Sequence, residues 1–196
     1  MKPSLIEKAT RIATVAHKKQ IRKGDGLPYI VHPFMVAMKL SEYGFPKEVI
    51  AAGLLHDVIE DTDYPEEKLR KEVGDGVVEI VLTVSKDESL KWDEMNSKYV
   101  EVVRRGSDGA KAVAAADKIH NLSSLLIAYE DQGPSLWGKF NGGKEKKEKH
   151  YREVLDALKE AWEHPILAEF EELLGKLRNL GREGPTESYK NLVTTM

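Results

Sequence analysis

Cysteine is absent from all 196 residues. Its absence excludes disulfide scaffolds, thiolate metal sites and cysteine nucleophiles together, and it agrees with a cytoplasmic protein. No apolar run approaches the roughly 20 residues that a membrane helix needs. There is no basic excess either: 30 Lys+Arg stand against 33 Asp+Glu, a net charge of -3. Duplex-binding proteins usually carry a positive surplus, so nucleic acid is disfavoured as the main partner. The N-terminal stretch MKPSLIEKATRIATVAHKK is an amphipathic mixture, not a basic stub followed by an apolar block, and no signal peptide is read in it. Alternating strand patterns and internal repeats are also lacking. With 41% hydrophobic residues, enough apolar side chain is present to offset chain entropy, which argues against intrinsic disorder.

What remains reads as helix almost throughout, an all-α single domain. Leu5, Ile6, Ala9, Ile12, Ala13 and Ala16 recur at helical spacing over residues 4–20. The segment RKGDGLPY, with Gly24, Gly26 and Pro28, breaks that helix. His32-Pro33 starts the next one, because proline suits the first helical position. From Pro46 the run VIAAGLLHDVIED is apolar nearly to its end, the pattern of a buried central helix over about 46–61. Helices at 65–73, 75–84 and 92–105 follow, then an alanine-rich one at 110–129 and a surface loop over 130–143 that holds Trp137 and Phe140. Two amphipathic helices within 145–180 complete a unit of residues 1–180, leaving 181–196 as a tail. Apolar positions on these last helices (Val154, Leu155, Leu158, Trp162, Leu167, Phe170, Leu173, Leu174, Leu177) either cap the core or form the seam of a homodimer.

Three segments carry chemistry. In LLHDVIEDT, on a continuous helix, His56 and Glu60 share one stripe and Asp57 and Asp61 the adjoining one. Burying three carboxylates without compensation costs several kcal/mol or forces protonation. A divalent cation with nearby basic residues compensates; a helix end that reaches water does so too. PYIVHP places His32 after a glycine loop, and AAADKIHNLSSL places Asp117 among alanines, with Asn121 one turn on. A carboxylate so placed is buried and needs a metal or a basic partner. Together His32, His56, Asp57 and Asp117 offer two nitrogens and two oxygens, a set suited to Mn²⁺, Fe²⁺, Zn²⁺ or Co²⁺. AHKKQIRK supplies Lys18, Lys19, Arg22 and Lys23 with no acid among them. Lys18 and Lys19 read as a solvated helix end, Arg22 and Lys23 as local neutralisation for a polyphosphate. His17 reads as structural, His120 as structural or second to the ligands, and His150 and His164 as incidental.

The order H…HD…D resembles that of the HD superfamily of metal-dependent phosphohydrolases. The longer strings RKGDGLPYIVHP, AAGLLHDVIEDT and AAADKIHNLSSL resemble the hydrolase domain of RelA/SpoT-type enzymes, which cleave the alarmone (p)ppGpp. The resemblance runs from about residue 4 to 130 and more weakly to 162. It implies that His32, His56, Asp57 and Asp117 hold one Mn²⁺, and that Glu60 and Asp61 position and deprotonate the attacking water. Arg22 and Lys23 then lie near guanine and phosphates, Asn121 touches substrate, Lys86 touches phosphate, and Lys147 with Tyr151 completes the pocket. The implied reaction removes the 3′-pyrophosphate of a small-molecule nucleotide, giving GDP or GTP.

Two departures accompany the resemblance. The loop between Arg22 and Pro28 is a residue longer than in the long bifunctional enzymes, which bears on base contacts more than on metal binding. No nucleotidyl-transfer half and no G-x-x-x-x-G-K phosphate loop are read, so a stand-alone hydrolase without synthesis is expected. The competing readings are an HD phosphatase for NADPH, a nucleoside monophosphate or a dNTP, an inactive metal- or nucleotide-binding sensor, and a helical interaction protein without metal. Intact Glu60 and Asp61 favour an enzyme over a sensor.

Overall fold

The helices begin and end where local chemistry dictates. Ser4 caps the first, its hydroxyl accepting from the Glu7 N–H at 3.2 Å, and Ser107 does the same for Ala110 at 3.3 Å. The computed structural model describes residues 3–23, 26–87, 89–140 and 142–181; the tail reading therefore lies outside the described residues except for Gly181. In chain order the helices are α1 (Leu5–Ala16), α2 (Val31–Glu42), α3 (Lys47–Leu55), α4 (Val58–Asp61), α5 (Glu66–Val73), α6 (Asp75–Val84), α7 (Trp92–Arg105), α8 (Asp108–Gln132), a 3₁₀ segment (Gly133–Lys139), α9 (Gly143–Ala161) and α10 (Ile166–Asn179). Among the described residues the extended backbone amounts to an isolated bridge between Ile21 and Pro28. The all-α expectation holds.

Helix α3 sits inside, packed on α1, α2, α6 and α8. Val49 and the run Ala51–Leu55 are buried, and its small residues let neighbours approach closely: a Cβ on Gly53 would meet Leu40 Cδ1 at 2.5 Å. The centre is shared, however. Helix α8 is buried continuously from Ala110 to Ile119 and touches α2, α3, α6, α7, α9 and α10. Alanine makes this possible, since its small side chain lets six elements crowd one helix.

Three sequence expectations are corrected. The helix expected over 46–61 is interrupted at His56–Asp57, separating α3 from α4. The one opened by His32-Pro33 starts one residue earlier, at Val31, with Pro33 still inside its first turn. The surface loop over 130–143 is mostly ordered structure, because α8 runs on to Gln132 and the 3₁₀ segment follows it. Trp137 there packs on Tyr129, ring centroids 5.7 Å apart.

The apolar faces of α9 and α10 are used within the chain. Val154, Leu155, Leu158, Leu167, Phe170, Leu174 and Leu177 are all buried, so these helices cap the core. His164 belongs to this layer, stacked on Trp162 at 4.8 Å and close to Phe45 at 4.7 Å. Phe170 is fully buried. Phe170→Ala is expected to cost about 3–5 kcal/mol, seen as a lower midpoint in urea with an unchanged slope.

Candidate active site

Consecutive residues on a regular helix project about 100° apart, which would send His56 and Asp57 in different directions. Both keep α-region dihedrals (His56 φ −58°, ψ −32°; Asp57 φ −96°, ψ −3°), yet His56 Nε2 ends 3.1 Å from Asp57 Oδ2. His32, on the first turn of α2, brings its Nε2 to 3.2 Å from His56 Nε2 and 3.5 Å from Asp57 Oδ2. From α8, Asp117 Oδ1 stands 3.2 Å from His32 Nε2 and 3.8 Å from His56 Nε2. Ligand atoms about 2.0–2.2 Å from a shared ion sit about 3–3.5 Å from one another. His32, His56 and Asp57 meet that spacing, and Asp117 approaches both imidazoles from the third helix. Three segments far apart in sequence thus converge on two nitrogens and two oxygens, a donor set that fits a divalent cation.

Charge in the cluster points the same way. Burial pulls His56 down, but the carboxylates of Asp57 and Asp117 outweigh it and hold His56 up at about 10. Burial also lowers His32, and here it prevails over Asp117 and Asp57. Burial would raise Asp57 and Asp117; His56 instead keeps Asp57 well below the usual carboxylate range, and Lys118 with the two histidines does so for Asp117. The pocket therefore demands positive charge. A divalent cation would supply it, displacing any proton that the histidines carry.

Asp117 satisfies both readings that the sequence left open. Its Oδ1 faces the histidines, while Oδ2 pairs with the ammonium of Lys118, which is 3% exposed. Lys118 was not singled out in the sequence; the available signal was a lysine inside a run of buried alanines, where no cation stays without a partner. Tyr29 and Gln20 were missed as well. Tyr29 Oη donates to Asp57 Oδ2 at 2.7 Å, and Asp57 and Asp61 together with burial drive its phenol pKa upward. Gln20 Nε2 donates to the Asp61 carbonyl at 2.6 Å, while its Oε1 lies 2.5 Å from Nδ1 of buried His17. His17 is buried, its ring tilted against Tyr29 with centroids 4.9 Å apart.

Glu60 and Asp61 lie beside the cluster but face different neighbours. Glu60 Oε2 accepts the Lys86 backbone N–H at 2.7 Å, and Oε1 is 3.5 Å from Lys86 Nζ. Burial raises the Glu60 pKa in spite of Lys86. Asp61 lines a cleft of about 460 Å³ together with Arg22, Lys23, Asn121, Lys147 and Tyr151. That volume suits a small-molecule ligand. Asn121 accepts from Arg22 Nη2 at 3.3 Å and donates to Asp117 Oδ1 at 2.5 Å.

The basic wall is deeper than expected. The ammoniums of Lys86 and Lys118 lie over the same Tyr99 ring, at 5.2 and 4.8 Å from its centroid. Lys147 stands over Phe140 at 4.2 Å, and burial, with Lys118 and Lys86 adding repulsion, pushes it down to about 8. His150 is no incidental surface residue: burial and the same two lysines push it down to about 3. Of the residues that the sequence selected, Arg22, Lys23, Asp61, Asn121, Lys147 and Tyr151 line this cleft, His32, His56, Asp57 and Asp117 face one another, and Lys86 contacts Glu60.

The chain is similar to several known proteins. The chain is 40% identical over 125 residues to the Danio rerio guanosine-3′,5′-bis(diphosphate) 3′-pyrophosphohydrolase MESH1, a stretch covering 62% of this chain and 69% of that one. It is 33% identical over 130 residues, 65% of its length, to the pyrophosphohydrolase of the same name from Aquifex aeolicus, and 40% identical over 120 residues, 58% of its length, to that from Haemophilus influenzae. It spans only 18% of each of those two longer proteins. Among solved structures, a metazoan ortholog of SpoT described as hydrolysing ppGpp superimposes with a TM-score of 0.74 at 27% identity, over 92% of this chain and 99% of that one. The HD domain family pattern matches residues 9–137, the span that holds His32, His56, Asp57 and Asp117, and by that match the chain belongs to the HD domain family.

Proposed function

We propose that this protein is a metal-dependent hydrolase that removes the 3′-pyrophosphate of ppGpp or pppGpp, with Mn²⁺ as its ion. One observation carries the reading: the two-nitrogen, two-oxygen cluster is joined through Tyr29 and Asn121, which bond Asp57 and Asp117, to a cleft lined by Asp61, Arg22, Lys23 and Lys147. The names of the similar proteins support the choice of substrate. His32, His56, Asp57 and Asp117 would hold the ion, which supplies electrophilic activation of water and of a phosphoryl oxygen.

The protein's own groups do the rest. Glu60, its pKa raised by burial, is the base that takes a proton from the attacking water, and Asp61, facing the cleft, orients that water. The water oxygen bonds to the phosphorus carried on the ribose 3′ oxygen, the bond from that phosphorus to the 3′ oxygen breaks, and the 3′ oxygen leaves as a hydroxyl on taking a proton from solvent, which in turn receives the one that Glu60 removed. Lys86, Lys118 and Lys147 oppose the negative charge spread over the phosphoryl oxygens, the main protein contribution in this chemistry. Arg22, Lys23, Asn121 and Tyr151 line the cleft and orient the nucleotide.

The test is incubation with ppGpp and Mn²⁺, with a chelator arm, followed by anion-exchange separation of products. GDP and pyrophosphate appearing only with metal are expected. No turnover by protein that still binds metal would sink the ppGpp assignment and turn attention to NADPH and other nucleotides. A pH dependence follows from Lys147. As pH rises through about 8 its ammonium loses its charge, so KM for ppGpp is expected to rise. Lys147→Met should raise KM at pH 7 by about 10-fold or more and flatten that alkaline rise in steady-state kinetics.

A further inference from the structure

His120 has no part in the chemistry above, yet it touches the ligand cluster. Its Nδ1 lies 2.7 Å from Nδ1 of His32, with the rings tilted by 31° and their centroids 4.9 Å apart. Two imidazole nitrogens at that separation share one proton, so one donates and the other accepts. His32 turns its other nitrogen, Nε2, toward the cluster, 3.2 Å from both Asp117 Oδ1 and His56 Nε2. An imidazole that offers the Nε2 lone pair to a cation must carry its proton on Nδ1. Here that proton points at His120 Nδ1. The proton of His120 then sits on Nε2, 3.4 Å from Ser124 Oγ, which can accept it.

The opposite arrangement disables the ligand. If His120 carried its proton on Nδ1 and donated it, His32 would keep Nδ1 bare, hold its proton on Nε2 and turn an N–H toward the cluster. The second histidine ligand does not face this choice: His56 Nδ1 lies 2.8 Å from the Gly53 carbonyl oxygen, and a carbonyl only accepts. The backbone thus holds His56 in the metal-binding form, whereas the form of His32 depends on a side chain. The sequence hinted at this only through spacing. His120 follows Asp117 by three residues, and positions three apart on a helix are neighbours.

We propose that His120 is a positioning residue that sets the metal-binding tautomer of His32 by accepting its Nδ1–H. The proposal rests on the reading of the cluster as a metal centre. It is tested on the full chain with His120→Leu, which removes the acceptor, and His120→Asn, whose amide oxygen can replace it. Metal affinity is measured by competition with a fluorescent chelator for Mn²⁺ and Zn²⁺. The Nδ1–H of His32 is followed by ¹⁵N-edited NMR in the diamagnetic Zn²⁺ form, and folding by circular dichroism.

Outer partners of ligand histidines are typically worth 10–100-fold in metal affinity. His120→Leu is therefore expected to bind metal about 10–100-fold more weakly and to lose the exchange-protected Nδ1–H signal, with His120→Asn within about threefold of the parent. If the parent protein binds no metal, the metal-centre reading fails and takes this proposal with it. If the parent binds and His120→Leu matches it with the His32 signal unchanged, the proposal alone is overturned. Should His120→Leu not fold, a folded His120→Asn that loses both affinity and signal overturns it equally.

Discussion

On the proposed function, Glu60→Gln is expected to lower turnover of ppGpp by about 10²–10⁴-fold, the usual worth of a positioned general base, while metal affinity stays near that of the parent. The separation of effects follows from geometry. The two Glu60 oxygens engage the Lys86 N–H and ammonium. Glutamine keeps an oxygen for the Lys86 N–H, so the loop after α6 retains its anchor. Burial raises the Glu60 pKa above the ordinary value, and a base must be deprotonated to act. In the parent protein activity therefore falls as pH drops through that raised pKa, and the acidic limb of the kcat profile reports it. The variant is expected to lose that limb. Equal losses in metal binding and in turnover would instead place Glu60 among the ligands. Asp61→Asn provides a second arm: it should lower kcat without removing the acidic limb, because Asp61 orients water and does not take the proton.

The second large effect is on stability. A ligand that binds only the folded state stabilises it by about 2.7 kcal/mol when present at 100 times its Kd. For a chain of this size, at about 2–4 °C for each kcal/mol, chelation is expected to lower the melting temperature by roughly 5–10 °C. Asp117→Asn should abolish this metal-dependent difference. The quantity to read is the difference with and without metal, not the melting temperature itself. Asparagine in place of Asp117 also leaves the ammonium of Lys118 buried without its counter-charge, and breaking a buried pair in this way costs about 3–5 kcal/mol. The variant should therefore melt lower than the parent even in chelator. A melting temperature that ignores chelation in the parent protein would contradict the metal centre.

The parts of the site legible in the sequence were those in which one segment suffices. His32 stands beside a helix-starting proline, His56-Asp57 at the end of an apolar run, and Asp117 among alanines; each position is unusual for its residue type within its own ten residues. Helix after helix was legible for the same reason, since apolar spacing is local. What depends on two segments meeting was not. Nothing in VIAAGLLHDVIED announces the interruption at His56–Asp57. Lys118 looked like one more helical lysine until Tyr99 and Asp117 were found around its ammonium. Tyr29 and Gln20 come from the short stretch between α1 and α2, where no periodicity exists to single them out. The joint centrality of α8 was hidden by alanine, which marks both a surface helix and a crowded one.

Asn121 uses the two ends of a single amide on two different tasks: its oxygen receives Arg22 from the cleft, and its nitrogen holds the Asp117 oxygen that faces the histidines. A phosphate that draws on Arg22 and a cation that draws on Asp117 therefore act on one rigid planar group of atoms. A shift of the amide at one end would alter what the other end offers. By thermodynamic reciprocity, whatever factor the ion contributes to nucleotide affinity, the nucleotide returns to the ion. Titrating either one alone measures only half of the equilibrium by which the site fills.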